Sequence, residues 1–137
     1  VIIGDILLYF NKLTKLGAIY KRNCIDPRKV IGLPVTEGGD YLGKIIGRVE
    51  DCIIDKDCLK VVVYIEDKDF YADLKNKVLR PVFQINEQEI QRDGTVLIKD
   101  VTVIQVNAIS EKFDIYNKKE VEDDQEGKEK NKKKDID

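Results

Sequence analysis

Residues 43–67 read GKIIGRVEDCIIDKDCLKVVVYIED, and this stretch decides the fold. Its apolar residues recur at every second position: Ile45, Gly47 and Val49, then Leu59, Val61, Val63 and Ile65. Side chains of a strand alternate between its faces, so a period of two marks strands with one apolar face. Asp55-Lys56-Asp57 supplies a tight polar turn between the two runs, which makes them a hairpin. Val62 and Tyr64 break the alternation and predict a second strand covered on both faces. A hairpin of this kind sits at the centre of a closed or two-layer β structure. It carries no chemistry, so function has to come from what flanks it.

Toward the N-terminus, residues 2–10 (IIGDILLYF) predict a strand with small and polar breaks at Gly4 and Asp5. Residues 11–16 read as a loop and 17–21 (GAIYK) as a short strand. Asp26-Pro27 starts a helix, with Asp as N-cap and Pro at the first helical position; Gly32 and Pro34 keep it short. Residues 33–36 are extended and 37–40 (EGGD) form a glycine loop. Toward the C-terminus, residues 67–76 predict a short helix with Asp67 as N-cap and Phe70, Tyr71 and Leu74 on one side. Packing of Phe70 and Tyr71 on the barrel is preferred to an exposed contact patch. Residues 78–85 form a strand in which Pro81 marks an edge or a bulge. Residues 91–94 (QRDG) form a turn, and 95–109 the longest strand.

The expected fold is mainly β with one or two short helices, as a closed or partly open β-barrel of about six to seven strands. Residues 1–115 form that domain. Residues 116–137 are almost purely charged and are expected to be a disordered or frayed tail, since they bury too little to offset ordering entropy.

The chain has 137 residues, one domain's worth, with 42% hydrophobic residues and a net charge of −2 that favours no nucleic acid. No run approaches the roughly 18 apolar residues of a membrane span. It starts at Val1 without Met or a signal-peptide pattern, and reads as a trimmed or partial chain. Cys24, Cys52 and Cys58 read as reduced thiols, in preference to a Cys52–Cys58 disulfide across the hairpin turn. There is no histidine, which removes histidine general acid–base chemistry, Ser-His and Cys-His pairs and most zinc sites.

Four patterns could hold chemistry, and each has a plainer reading that is preferred. Residues 38–44 (GGDYLGK) fit a phosphate loop, but Ile45 replaces the metal-binding hydroxyl and a strand follows where a helix is needed. Glu50, Asp51, Asp55, Asp57, Glu66, Asp67 and Asp69 match no calcium-loop spacing and read as solvated strand edges. Ser110, the one serine, would need a lysine base such as Lys99 or Lys112, and reads instead as a strand-end cap. Lys132, Lys133 and Lys134 are opposed by neighbouring acids and read as a solvated tail or assembly arm.

Five pieces in order carry a resemblance. Residues 2–26 (IIGDILLYFNKLTKLGAIYKRNCID) open with strand and loop, and Pro34-Val35 sits in an extended segment. Residues 45–67 supply an IGRV-type hairpin, 79–83 (LRPVF) a strand after a short helix, and 93–110 (DGTVLIKDVTVIQVNAIS) the last strand. The order resembles the bacteriophage prohead protease family, capsid-maturation serine proteases with a herpesvirus-protease-like barrel. The resemblance places the family's histidine at Gly38 or Gly39 and its serine near Arg80. Neither residue type is present, and a guanidinium cannot attack a carbonyl. It therefore implies a catalytically inactive, protease-like phage or prophage head protein that binds capsid or scaffolding proteins, with a homo-oligomer possible. The implied setting is the host cytoplasm or the virion, with no cofactor, metal or membrane. An alternative is an adaptor resembling a PRC-barrel, carried by residues 31–44 (IGLPVTEGGDYLGK) and 49–55 (VEDCIID). A further alternative is an active maturation protease with a non-histidine site, Ser110 being the fallback nucleophile.

Arg80 interrupts the apolar run 78–83 (VLRPVF). A buried, unpaired guanidinium is too costly to keep, so Arg80 is expected at the surface or paired with a carboxylate, for which Asp40 is the expected partner.

Overall fold

The computed structural model describes residues 1–38, 43–66 and 68–117. The expectations placed on Gly39, Asp40, the Asp67 cap and the tail from residue 118 lie outside the described residues. The central hairpin forms from β4 (Ile45–Asp55) and β5 (Cys58–Ile65), with Asp55 opposite Cys58 and Lys56 at a positive φ of 55° in the turn. On β5 the alternation holds: Leu59, Val61, Val63 and Ile65 are all buried. Strand β4 departs from it. Ile45 is 65% exposed, and Ile46 is the core residue. The cause is a bulge against β3 (Pro34–Glu37): Val35 faces Gly47 and Thr36 faces Ile45, so Ile46 is an extra residue turned inward. A second irregularity at Glu50 brings Cys52 into the core.

Gly47 lies where the strands approach most closely. A Cβ there would collide with the carbonyl oxygen of Tyr64 on β5. Gly47→Ala is expected to destabilise the fold by about 2 kcal/mol, the cost of overpacking against backbone that cannot retreat. Denaturant titration of the variant checks this, and an unchanged midpoint would contradict it.

The remaining strands are β1 (Ile2–Tyr9), β2 (Ala18–Tyr20), β6 (Lys77–Ile90) and β7 (Val96–Ser110). The sheet order is β1-β5-β4-β3-β7-β2, with β6 lying along β7. Strand β7 organises this half of the molecule. One of its edges carries β6 over its whole length. The other carries β2 near its start and β3 near its end, both parallel. The result is a curled half-barrel, open rather than closed. Its outer edges are β1 and β6, so Pro81 sits on an edge strand, where its missing N–H breaks no ladder. Strand β6 runs to Ile90, past the expected end at 85. Its outer residues are exposed and polar and show no clean alternation, and they are held by pairing with β7.

Asp26 caps a 3-10 turn, Pro27–Lys29, by accepting the N–H of Arg28. Helix α1 (Lys68–Asp73) continues into a 3-10 turn, Leu74–Asn76. Phe70 packs into the core, while Tyr71 is 51% exposed. Among the described residues no helix is long and apolar enough to cross a membrane.

The core includes adjacent buried residues Leu7 and Leu8, because a register shift on β1 turns both inward. It also includes Tyr116, which composition had assigned to the tail. None of the three cysteines is in a disulfide, and burial pushes the thiols of Cys24 and Cys52 up to about 12, which suppresses thiolate chemistry.

Candidate functional site

Three of the singled-out positions, Gly38, Arg80 and Ser110, line one cleft of about 590 Å³. It lies over the ends of β6, β7 and β3, and Lys77, Phe113 and Ile115 also form its walls. Gly38 ends β3 with φ at 98°, which glycine tolerates and residues with a Cβ seldom adopt; its N–H donates to the carbonyl of Ala108 at 3.3 Å.

Arg80 is buried, and among the described residues its carboxylate partner is Asp114. Nε donates to Oδ1 at 2.7 Å and Nη2 to Oδ2 at 2.8 Å, a bidentate pair. Nη1 donates to the carbonyl of Ile6 at 2.9 Å and to that of Leu79 at 2.9 Å. Ile6 is on β1 and Arg80 on β6, so the guanidinium ties together the two edges that the open sheet leaves unjoined. The segment after β7 folds back across this seam. It starts with a 3-10 turn, Glu111–Phe113, and brings in Asp114 and then Tyr116. The Tyr116 hydroxyl donates to the carbonyl of Tyr9 at 2.8 Å and accepts its N–H at 2.9 Å, so one side chain substitutes for a missing neighbour strand. The Arg80 guanidinium lies 5.3 Å from the centre of the Tyr116 ring, which adds a cation–π contact.

Asp5 also belongs to the seam. Burial raises its pKa above the ordinary carboxylate value, partly opposed by hydrogen bonds from the Ile6 and Leu79 backbone and by the Arg80 charge. The folded state then holds the proton more tightly than the unfolded one. Stability contributed by the protonated form falls as pH rises from the ordinary carboxylate value, near 4, through the raised one. Asp5→Asn removes this dependence. Thermal melts of both proteins should show the advantage of Asn over Asp growing with pH across that window. A constant difference would contradict the assignment.

Ser110 has no base. Its hydroxyl oxygen accepts the Lys112 backbone N–H at 3.4 Å, which caps the turn as expected. Lys112 is exposed, and Lys99 is eleven residues away along the same strand, about 36 Å, and paired with Glu89. The lysine that does lie beside Ser110 was not singled out from the sequence: Lys77 is directly opposite it on β6. Its ammonium lies 3.5 Å from a Glu37 carboxylate oxygen and 4.6 Å from the centre of the Phe70 ring.

Among the described residues, no three of the acidic residues singled out earlier come together as a metal-holding group. Glu50 and Glu66 pair with Arg48, and Asp55 pairs with Lys60. Residues 38–44 lead into strand β4, so the helix that a phosphate loop needs does not follow. Among the described residues the cleft thus has mostly apolar walls, two cations, Asn107 and a serine hydrogen-bonded to no base. That arrangement suits holding a ligand better than breaking a bond. No family model matches the chain, and neither a curated protein nor a solved structure matches it.

Proposed function

We propose that the chain is a non-catalytic binding domain that takes a segment of a partner protein in the Gly38–Arg80–Ser110 cleft. We assign it, on the prohead-protease resemblance, to capsid assembly in a phage or prophage head. The observation that carries the reading is Arg80. It stands where the resemblance puts the nucleophile, and its hydrogen bonds to Asp114, Ile6 and Leu79 tie it to the framework. Gly38 falls on the same cleft, as the resemblance requires of the histidine position. The PRC-barrel alternative accounts for neither residues 1–20 nor the long last strand. Here Leu7, Leu8, Tyr9 and Phe10 are core and β7 is the organising strand, which supports the first reading, whereas the open half-barrel is the shape the PRC reading expects.

Co-sedimentation with shells assembled from phage capsid and scaffolding proteins tests the reading. The protein should pellet with the shells, and Phe113→Asp, a change at an exposed wall residue, should abolish pelleting without lowering the melting temperature. A protein that stays in the supernatant with assembled shells would overturn the capsid assignment.

A further inference from the structure

Two cations line the cleft, and they differ in what they have left to offer. Arg80 spends four of its five N–H donors on Asp114 and two carbonyls. Lys77 is held more loosely. Its ammonium is 3.5 Å from Oε1 of Glu37, well beyond the roughly 2.8 Å of a good charge-assisted hydrogen bond. It rests over the Phe70 ring, which holds a cation in place without accepting an ordinary hydrogen bond. Among the described residues no carboxylate lines the cleft. Lys77 thus lines, with a loosely held ammonium, a space whose apolar walls are Val82, Ile109, Phe113 and Ile115 and whose polar ones include Asn107 and Ser110. Phe113 is 75% exposed, a large apolar surface that the chain itself leaves uncovered. From Lys77 to Val82 the wall spans five residues of strand, about 17 Å, room for about five residues of extended peptide.

We infer that the cleft takes the C-terminal end of a partner polypeptide, with the terminal carboxylate on Lys77 Nζ and the last apolar side chains against Ile109, Phe113 and Ile115. This rests on the binding reading above and adds the chemistry of the segment bound. A chain end carries its charge directly on the residue whose side chain is buried, so one residue satisfies both the cation and the apolar wall. Glu37 is the built-in competitor: it occupies Lys77 in the absence of ligand and must release it.

The probe is a fluorescein-labelled hexapeptide, GSTVLV, with a free C-terminus, beside its C-terminally amidated twin. Binding to the full chain is read by fluorescence anisotropy at neutral pH. The free acid should bind about tenfold more tightly than the amide, a difference that one desolvated ion pair can supply. Lys77→Gln should bring the two peptides to the same affinity. Glu37→Gln should tighten the free acid alone, which a purely structural role for Glu37 would not produce. Circular dichroism shows whether each variant is folded. Equal affinity of acid and amide for the wild-type chain would overturn this inference and leave the binding reading standing. Displacement of the peptide by octanoate at equal concentration would make the cleft a site for small carboxylates and overturn the polypeptide assignment. Failure of both peptides to bind would overturn the inference and the binding reading together.

Discussion

Asp114→Ala should be among the most damaging single changes in the protein, costing about 4 kcal/mol, because it leaves the buried Arg80 guanidinium without its counter-charge. Both carboxylate oxygens are engaged, and the Arg80 side chain is 7% exposed against 11% for Asp114, so water cannot replace the lost partner. A small domain has about 5–15 kcal/mol in total, so the variant should be largely unfolded well below the wild-type melting temperature. The double variant Arg80→Met, Asp114→Leu should recover much of the loss, since it removes both charges and not just one. Urea titration of the three proteins is the check. A single variant within about 1 kcal/mol of wild type would mean that the pair is solvated in solution.

Tyr116→Ala should cost a similar amount, about 4 kcal/mol, from cavity formation and lost hydrogen bonds together. Tyr116 is 1% exposed, meets the Tyr9 ring edge-on at 5.0 Å, and satisfies both backbone groups of Tyr9. Tyr116→Phe keeps the ring and removes only the hydroxyl, and should cost about 2 kcal/mol. Burial also raises the Tyr116 pKa, so the hydroxyl stays a donor across the accessible pH range. Hydrogen exchange at the Tyr9 amide separates the two contributions. It should quicken in Tyr116→Phe more than amides in the middle of β5 do, and uniform quickening would mean global destabilisation only.

The strands of the central hairpin were legible because Leu59, Val61, Val63 and Ile65 keep strict alternation, and burial follows it residue by residue. The phase of β4 was not, because a bulge at Ile46 adds a residue without leaving any mark in an apolar run. Arg80 had to be paired, and that follows from the cost of burying a lone charge. Its partner did not follow: Asp114 is 34 residues away in sequence and reaches Arg80 only because the segment after β7 folds back over the seam. Tyr116 was misassigned for the same reason, since composition reads Tyr116 with the charges that follow it. Lys77 could nearly have been found. Counting outward from the pair Ile90–Val96 puts Asn76 opposite Ser110, and the bulges in the hairpin shift that by one, to Lys77. A slip of one residue reverses the face, which is why the neighbour of Ser110 was missed.

The central claim is that this cleft binds without cutting. The most direct test is intact-mass spectrometry of the proposed partners, phage capsid and scaffolding proteins, after prolonged incubation with the full chain. Every mass should be unchanged. Specific cleavage that disappears in Ser110→Ala would contradict the account and make Ser110 a working nucleophile.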